Sequence, residues 1–152
     1  MSDNKYNVLK ISNQLCFPLY ACSREIIKQY KPFLDKIGIT YTQYLVMMVL
    51  WENGSVTVKE LGDRLYLDSG TLTPLLKKME AKGLLTRKRS RKDERNLIIS
   101  LTRSGEKLKD KAVEIPAKIA GCAKISAEEG EYLYRLLYKI LGQLSENNEQ
   151  DQ

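Results

Sequence analysis

Residues 68–102 read DSGTLTPLLKKMEAKGLLTRKRSRKDERNLIISLT, and a change of period inside this stretch decides the fold. Leu72, Leu75, Leu76 and Met79 recur at helical spacing and form one apolar face. Asp68 or Ser69 can cap the start of that helix, and Gly83 suits its end. Beyond Gly83 the pattern becomes that of strands. Residues 84–88 and 96–101 are short β-prone runs, and 89–95 between them is charged and holds no apolar residue. The stretch therefore predicts a helix followed by a hairpin with a long exposed tip.

Working outward, Thr57 and Glu60 have the spacing of a capping box and open a short helix through Leu65. Together with the helix after Asp68 this makes a helix-turn-helix. Thr40 and Gln43 repeat the box and open an apolar helix over 42–52, buried nearly all round and stopped by Asn53-Gly54. A first helical stretch is expected from Val8 to Gln29, closed by Pro32. Downstream, Thr102 opens a long helix interrupted at Pro116, and Ser126 with Glu129 opens a last one ending near Ser145. The first seven residues and 145–152 read as polar, frayed ends. The expected fold is mainly α with a small β wing. One domain, 1–152, holds a winged helix-turn-helix over 40–101 and long flanking helices over 8–31 and 103–145. The apolar stripes of those flanking helices have no obvious burial site within one small domain, which favours a dimer.

At 152 residues the chain has the length of one domain. No run of about 18 apolar residues exists to cross a membrane, and the N-terminus lacks a signal-peptide core. A cytoplasmic location is expected. The absence of histidine removes His-based acid–base and nucleophilic chemistry and most transition-metal sites. Three cysteines, at 16, 22 and 122, fit neither a disulfide framework nor zinc-ligand spacing. Neither metal nor cofactor is expected.

The net charge of +6 is local. Nine basic and three acidic residues lie between Lys77 and Arg95, so the rest of the chain sums to zero. A basic block on a neutral body suits a polyanion, although a charge run alone is often only a solvated face. Its placement adds meaning. The helix after Asp68 offers Ser69, Thr71, Thr73, Lys77 and Lys78 opposite its leucines, and the hairpin sets Arg89, Arg91, Lys92 and Arg95 beside them. A helix fits the major groove of DNA, and an arginine at a hairpin tip fits the narrow minor groove. Asp93 is placed to hold the tip by an ion pair with Arg95.

The stretch ERNLIISLTRSGEKL resembles the MarR family, with the family's acidic-x-Arg wing signature at Asp93-Glu94-Arg95 and its Leu-Thr-x-x-Gly turn at Leu101-Thr102-Arg103-Ser104-Gly105. Within that family the chain is most similar to the organic hydroperoxide resistance regulators. The matching stretches are Gln14-Leu15-Cys16-Phe17, Gln29-Tyr30-Lys31-Pro32, Ile39-Thr40-Tyr41, Gln43-Tyr44-Leu45, 67–74 and Lys88-Arg89-Ser90. The resemblance covers almost the whole chain. It implies a homodimer whose two winged helices read a palindromic operator in double-stranded DNA. The DNA-reading roles it carries over fall on Asp68, Ser69, Thr71, Thr73 and Lys78, and on Arg87 and Arg95 in the wing.

Cys16 lies in an amphipathic stretch near several of the nine tyrosines. A lone cysteine is often just a small packing residue, but a phenol that hydrogen-bonds a thiolate raises its reactive fraction. Tyr20, Tyr30, Tyr41 and Tyr44 all precede residue 45. The resemblance places Cys16 at the peroxide-sensing position and Tyr30 and Tyr41 at the pair that bonds it across the dimer interface. It implies a repressor released when an organic hydroperoxide oxidises Cys16. The second thiol stays open among Cys122, Cys22 and a small thiol. Pro18 departs from the family pattern: either the helix kinks beside Cys16, or a new helical segment starts there. The main rival is a MarR-type regulator derepressed by a small phenolic ligand, with Cys16 incidental. A thiol peroxidase and a non-specific architectural DNA binder are more distant rivals, and the chain shows nothing else built for turnover.

Overall fold

The computed structural model describes residues 5–93 and 95–150, with side chains to residue 146. Glu94, inside the wing signature, lies outside the described residues. Two short 3-10 turns, Asn7–Leu9 and Ile11–Asn13, precede helix α1 (Cys16–Ile37). Then come α2 (Tyr41–Asn53), strand β1 (Ser55–Thr57), α3 (Val58–Leu65), α4 (Ser69–Ala81), strands β2 (Leu85–Arg89) and β3 (Leu97–Leu101), α5 (Arg103–Ala112), α6 (Ile115–Ala120) and α7 (Ala127–Gln150). The chain forms two compact units, Met1–Ile119 and Ala120–Gln152.

The caps behave as the sequence predicts. Thr40 with Gln43 and Thr57 with Glu60 form reciprocal capping boxes. Asp68, rather than Ser69, caps α4 through the Thr71 amide. Ser126 and Glu129 exchange bonds at the start of α7. Gly83 has φ +71°, the left-handed conformation a helix terminator needs.

Three boundaries differ from expectation. The first helix begins at Cys16, not Val8, and runs through Pro32 to Ile37. Pro32 costs the helix one backbone bond, to the carbonyl of Lys28, but both residues are exposed, so water can satisfy that oxygen. Gly38, at φ +74°, ends the helix instead. Pro18 falls in the first turn of α1, where its missing N–H would have no helical partner. The second alternative for Pro18 therefore holds: a helix starts beside it. The last helix continues to Gln150 rather than stopping near Ser145.

The sheet is antiparallel in the order β1-β3-β2, with Val56 opposite Ile99 and Arg87 opposite Ile99 on the other side. The core is built from Leu34, the buried face of α2 (Tyr44, Val46, Met47, Val49, Leu50), Leu61 of α3, Leu72, Leu76 and Met79 of α4, and Ile99 of β3. The turn at Leu101–Gly105 locks the wing to this core. The Thr102 hydroxyl donates to the Gly83 carbonyl at 2.6 Å and accepts from the Gly105 amide at 3.0 Å. Gly105 packs against backbone: a Cβ there would stand 2.0 Å from the Leu84 carbonyl oxygen. The indole of Trp51 donates to the Gly105 carbonyl at 3.0 Å.

By contrast, Leu34 is the only buried residue of α1. Phe17, Leu19, Tyr20, Ile26 and Ile27 are exposed on α1, as are Tyr132, Leu133, Tyr134, Leu136 and Tyr138 on α7.

Candidate nucleic-acid interface and thiol site

The helix α4 presents Ser69, Thr71, Thr73, Lys77 and Lys78 to solvent, opposite its buried Leu72, Leu76 and Met79. Its N-terminus is organised by Asp68. One carboxylate oxygen accepts from the Thr71 amide at 2.9 Å and the other from the Thr71 hydroxyl at 2.9 Å. These two bonds hold the Asp68 carboxyl below its usual range, the backbone one contributing most. The Thr73 hydroxyl donates to the Ser69 carbonyl at 2.8 Å. Both threonine protons are thus committed, and the hydroxyls turn lone pairs outward. In a major groove they suit the exocyclic amino groups of adenine and cytosine, which donate.

The wing stands beside this helix. Among the described residues its tip is organised by hydrogen bonds. Asp93 accepts from the Arg95 amide at 3.1 Å and from the Asn96 side chain at 3.3 Å, and its carbonyl accepts from the Asn96 amide at 2.9 Å. Ser90 Oγ accepts from the amides of Lys92 and Asp93. The Arg95 guanidinium stands 3.9 Å from Asp93 and is 96% exposed, so it projects outward from a fixed base. Arg89, Arg91 and Lys92 are exposed around it.

Arg87 is placed differently from the sequence expectation. Its backbone amide and Nε donate to the two carboxylate oxygens of Glu80, at 2.9 and 3.0 Å, and its NH2 nitrogen lies 2.9 Å from Oε2. The Arg87 side chain is 21% exposed. A guanidinium held this way by α4 joins the wing to that helix and is poorly placed to read a base. Its bonds hold the Glu80 carboxyl below the usual range, the side-chain bond first. Sequence reading missed Glu80 and Ser90. Glu80 and Arg87 are seven apart across the Gly83 turn, and only the hairpin's path brings them together.

Cys16 is exposed and occupies the first position of α1, at the positive end of the helix dipole, where anions are favoured. Cys22 is on the same helix, six residues on, about 9 Å along the axis by the helical rise. That separation exceeds the reach of a disulfide. Tyr30 and Tyr41 pack with their rings tilted by 58° and 4.9 Å between centroids, and Tyr44 lies 6.0 Å from Tyr30. Burial, followed by the proximity of Tyr30, pushes the Tyr41 phenol above its usual value, so it stays a neutral donor. Tyr20 is exposed, and its hydroxyl accepts from Arg24 at 3.4 Å. Tyr30 follows Cys16 by 14 residues on one helix, about 21 Å along its axis. Cys122, in the second compact unit, is exposed.

Among the described residues, no helix is long and apolar enough to cross a membrane, and no cluster of three or more metal-ligating side chains occurs.

The sequence profile of the family described as "Transcriptional regulator SarA/Rot" matches residues 28–112. The chain is 56% identical to the organic hydroperoxide resistance transcriptional regulator of Bacillus subtilis, over 96% of this chain and 99% of that one. The solved structure of reduced AbfR bound to DNA, a protein of Staphylococcus epidermidis, superposes with a TM-score of 0.75 at 38% identity, covering 90% of this chain and 95% of that one. The disulfide-formed state of AbfR superposes with a TM-score of 0.59 at 37% identity, over 96% and 99% of the two chains. A winged helix with α4 and a basic hairpin tip on one side, matched by profile, relative and structure alike, means that this chain belongs to the SarA/Rot family of MarR-like transcriptional regulators.

Proposed function

We propose that the protein is a redox-sensing repressor that binds a palindromic operator as a homodimer and lets go when an organic hydroperoxide oxidises Cys16. The observation that carries this reading is the placement of Cys16: an exposed thiol at the start of α1, on a chain whose α4 and wing are arranged for DNA. Asp68, Ser69, Thr71, Thr73, Lys77 and Lys78 face the major groove, and Arg89, Arg91 and Arg95 reach the flanking backbone and minor groove. Asp93 anchors the tip, and Arg87 holds the wing against Glu80. The 56% identical relative named for organic hydroperoxide resistance supports the inducer class.

The chemistry balances as follows. The Cys16 thiolate attacks the outer oxygen of the hydroperoxide, an S–O bond forms and the O–O bond breaks. The sulfur loses two electrons and becomes a sulfenic acid, while the leaving alkoxide takes a proton and departs as an alcohol. A second thiol then attacks the sulfenic sulfur, an S–S bond forms and water leaves. Cys22 of the same chain is too far along α1 to serve; of the two routes left, Cys122 of a second copy and a small thiol, the reading takes Cys122. The phenols of Tyr30 and Tyr41 come from the second copy as well, because Tyr30 stands about 21 Å along its own α1 from Cys16. Tyr20, four residues after Cys16 and so one turn further along α1, completes the polar surroundings from the same chain. Oxidation repacks these contacts and changes the separation of the two winged heads.

The test is fluorescence anisotropy on a duplex selected from a random library by the reduced protein. One equivalent of cumene hydroperoxide releases the wild type and leaves Cys16→Ser bound. Release of Cys16→Ser by the same treatment overturns the reading.

A further inference from the structure

Lys82 belongs to the basic block by sequence, yet its charge does not face the DNA side of α4. Its ammonium donates to the Gly38 carbonyl at 2.8 Å and to Gln43 Oε1 at 3.2 Å. Gly38 is the residue that ends α1. Gln43, 3% exposed, is half of the capping box that starts α2, and the same Oε1 accepts from the Thr40 amide at 3.1 Å. Lys82 itself sits at the end of α4. One side chain thus ties together the end of the helix that carries Cys16, the start of the central helix and the end of the DNA-facing helix.

The ends it joins are built alike. In α1 the Ile39 amide reaches back to the Leu34 carbonyl, and in α4 the Leu84 amide reaches back to the Met79 carbonyl, each around a glycine in the left-handed conformation. Such turns satisfy the carbonyls further up the helix and leave the glycine's own carbonyl outside the ladder. The Gly38 oxygen is therefore available at the negative end of the α1 dipole, a favourable place for an ammonium. Helix α1 is continuous across Pro32, and Lys31 and Asp35, which flank that proline in sequence, pair at 2.7 Å.

We infer that Lys82 is a positioning residue that transmits movement of α1 to the end of α4. The inference rests on Cys16 being the sensor. When oxidation pulls the start of α1, the displacement arrives at Gly38 and is passed through the Lys82 ammonium to α4, which turns in its groove. Without the tether, α1 can shift while α4 keeps its DNA-binding pose.

The experiment compares operator affinity before and after one equivalent of cumene hydroperoxide for the wild type, Lys82→Met and Lys82→Arg. Cys16 oxidation is followed by mass in each. Lys82→Met is expected to oxidise normally and to bind operator in the reduced state within about threefold of the wild type, with an unchanged salt slope. Its reduced-to-oxidised affinity ratio is expected to shrink by about tenfold, within the usual range of allosteric couplings. Lys82→Arg, which can still reach both oxygens, restores the response. A Lys82→Met variant released as fully as the wild type overturns the inference. So does a salt slope reduced by about one, which would make Lys82 a phosphate contact. Should Lys82→Met fold poorly, Gln43→Glu keeps the cap and sets a charge opposite Lys82. It is expected to enlarge the reduced-to-oxidised ratio, and an unchanged ratio overturns the inference. A wild type that keeps its operator after Cys16 oxidises sinks the sensor reading, and that failure is seen in the wild-type arm alone.

Discussion

At the scale of single residues, the wing depends on Glu80 and Gly105 as much as on any arginine. The bonds from Arg87 lower the Glu80 carboxyl, so the folded state binds a proton there less readily than the unfolded chain. The stabilising contribution is therefore present above the ordinary carboxylate value of 4.5 and is lost as the pH falls through the lower folded value. An NMR titration should place the Glu80 midpoint below 4.5, and Arg87→Ala should return it toward 4.5. An unshifted midpoint in the wild type would remove the clamp from the account. Gly105 makes a sharper demand. A methyl group there meets the Leu84 carbonyl oxygen at 2.0 Å, and backbone cannot step aside as a side chain would. Gly105→Ala should lower the urea midpoint by the equivalent of about 3 kcal/mol, the upper part of the range for single substitutions. A loss below about 1 kcal/mol would show that the wing can move off the core at little cost. The glycine of the Leu-Thr-x-x-Gly turn is thus explained by close approach rather than by backbone dihedral.

At the scale of elements, Glu80 joins the wing to α4, and in the proposed function the two would act as one reading head. Glu80→Ala leaves every DNA-facing side chain in place but frees the wing. It should weaken operator binding by about three- to tenfold, with the loss concentrated in the A/T-rich flank that a minor-groove arginine reads. Equal weakening on all flanking sequences would count against a positioning role. Much of this architecture was legible before any coordinates. The capping boxes at Thr40, Thr57 and Ser126 and the apolar period of α4 are local signals that survive folding intact. What escaped reading depends on partners far along the chain. The strand β1 is three residues long and exists because Val56 pairs with Ile99. The extent of α1 is set by Gly38 and by the exposure of the carbonyl that Pro32 leaves unbonded, neither of which a proline-stops-helix rule foresees. The pairing of Arg87 with Glu80 follows from the path of the hairpin. The proposed thiol site rests on family resemblance more than on pattern, since an exposed cysteine at a helix start has no periodicity of its own.

At the scale of the molecule, the proposed homodimer would account for the burial pattern. Helix α1 buries only Leu34, and α7 holds exposed Tyr132, Leu133, Tyr134, Leu136 and Tyr138. Apolar side chains at that density are covered in a working protein, and contiguous exposed patches of this kind mark interaction surfaces. Pairing two chains through them would also set two winged heads at a fixed separation, so that each binding event raises the effective concentration of the other. Leu133→Asp together with Leu136→Asp should yield a monomer by sedimentation velocity. On a duplex carrying one half-site, that monomer and the wild type should bind alike, because the reading head is untouched. On a full palindrome, with half-sites about one helical turn apart, the monomer should bind at least about a hundredfold more weakly, the usual scale of avidity lost when two modules are separated. Insertion of five base pairs between the half-sites should cost the wild type most of that advantage and the monomer none, since half a turn of DNA puts the second half-site on the opposite face. A double variant that still sediments as a dimer would mean that the apolar face of α7 is covered by something other than its twin, and the fixed spacing of the two heads would then have to come from α1.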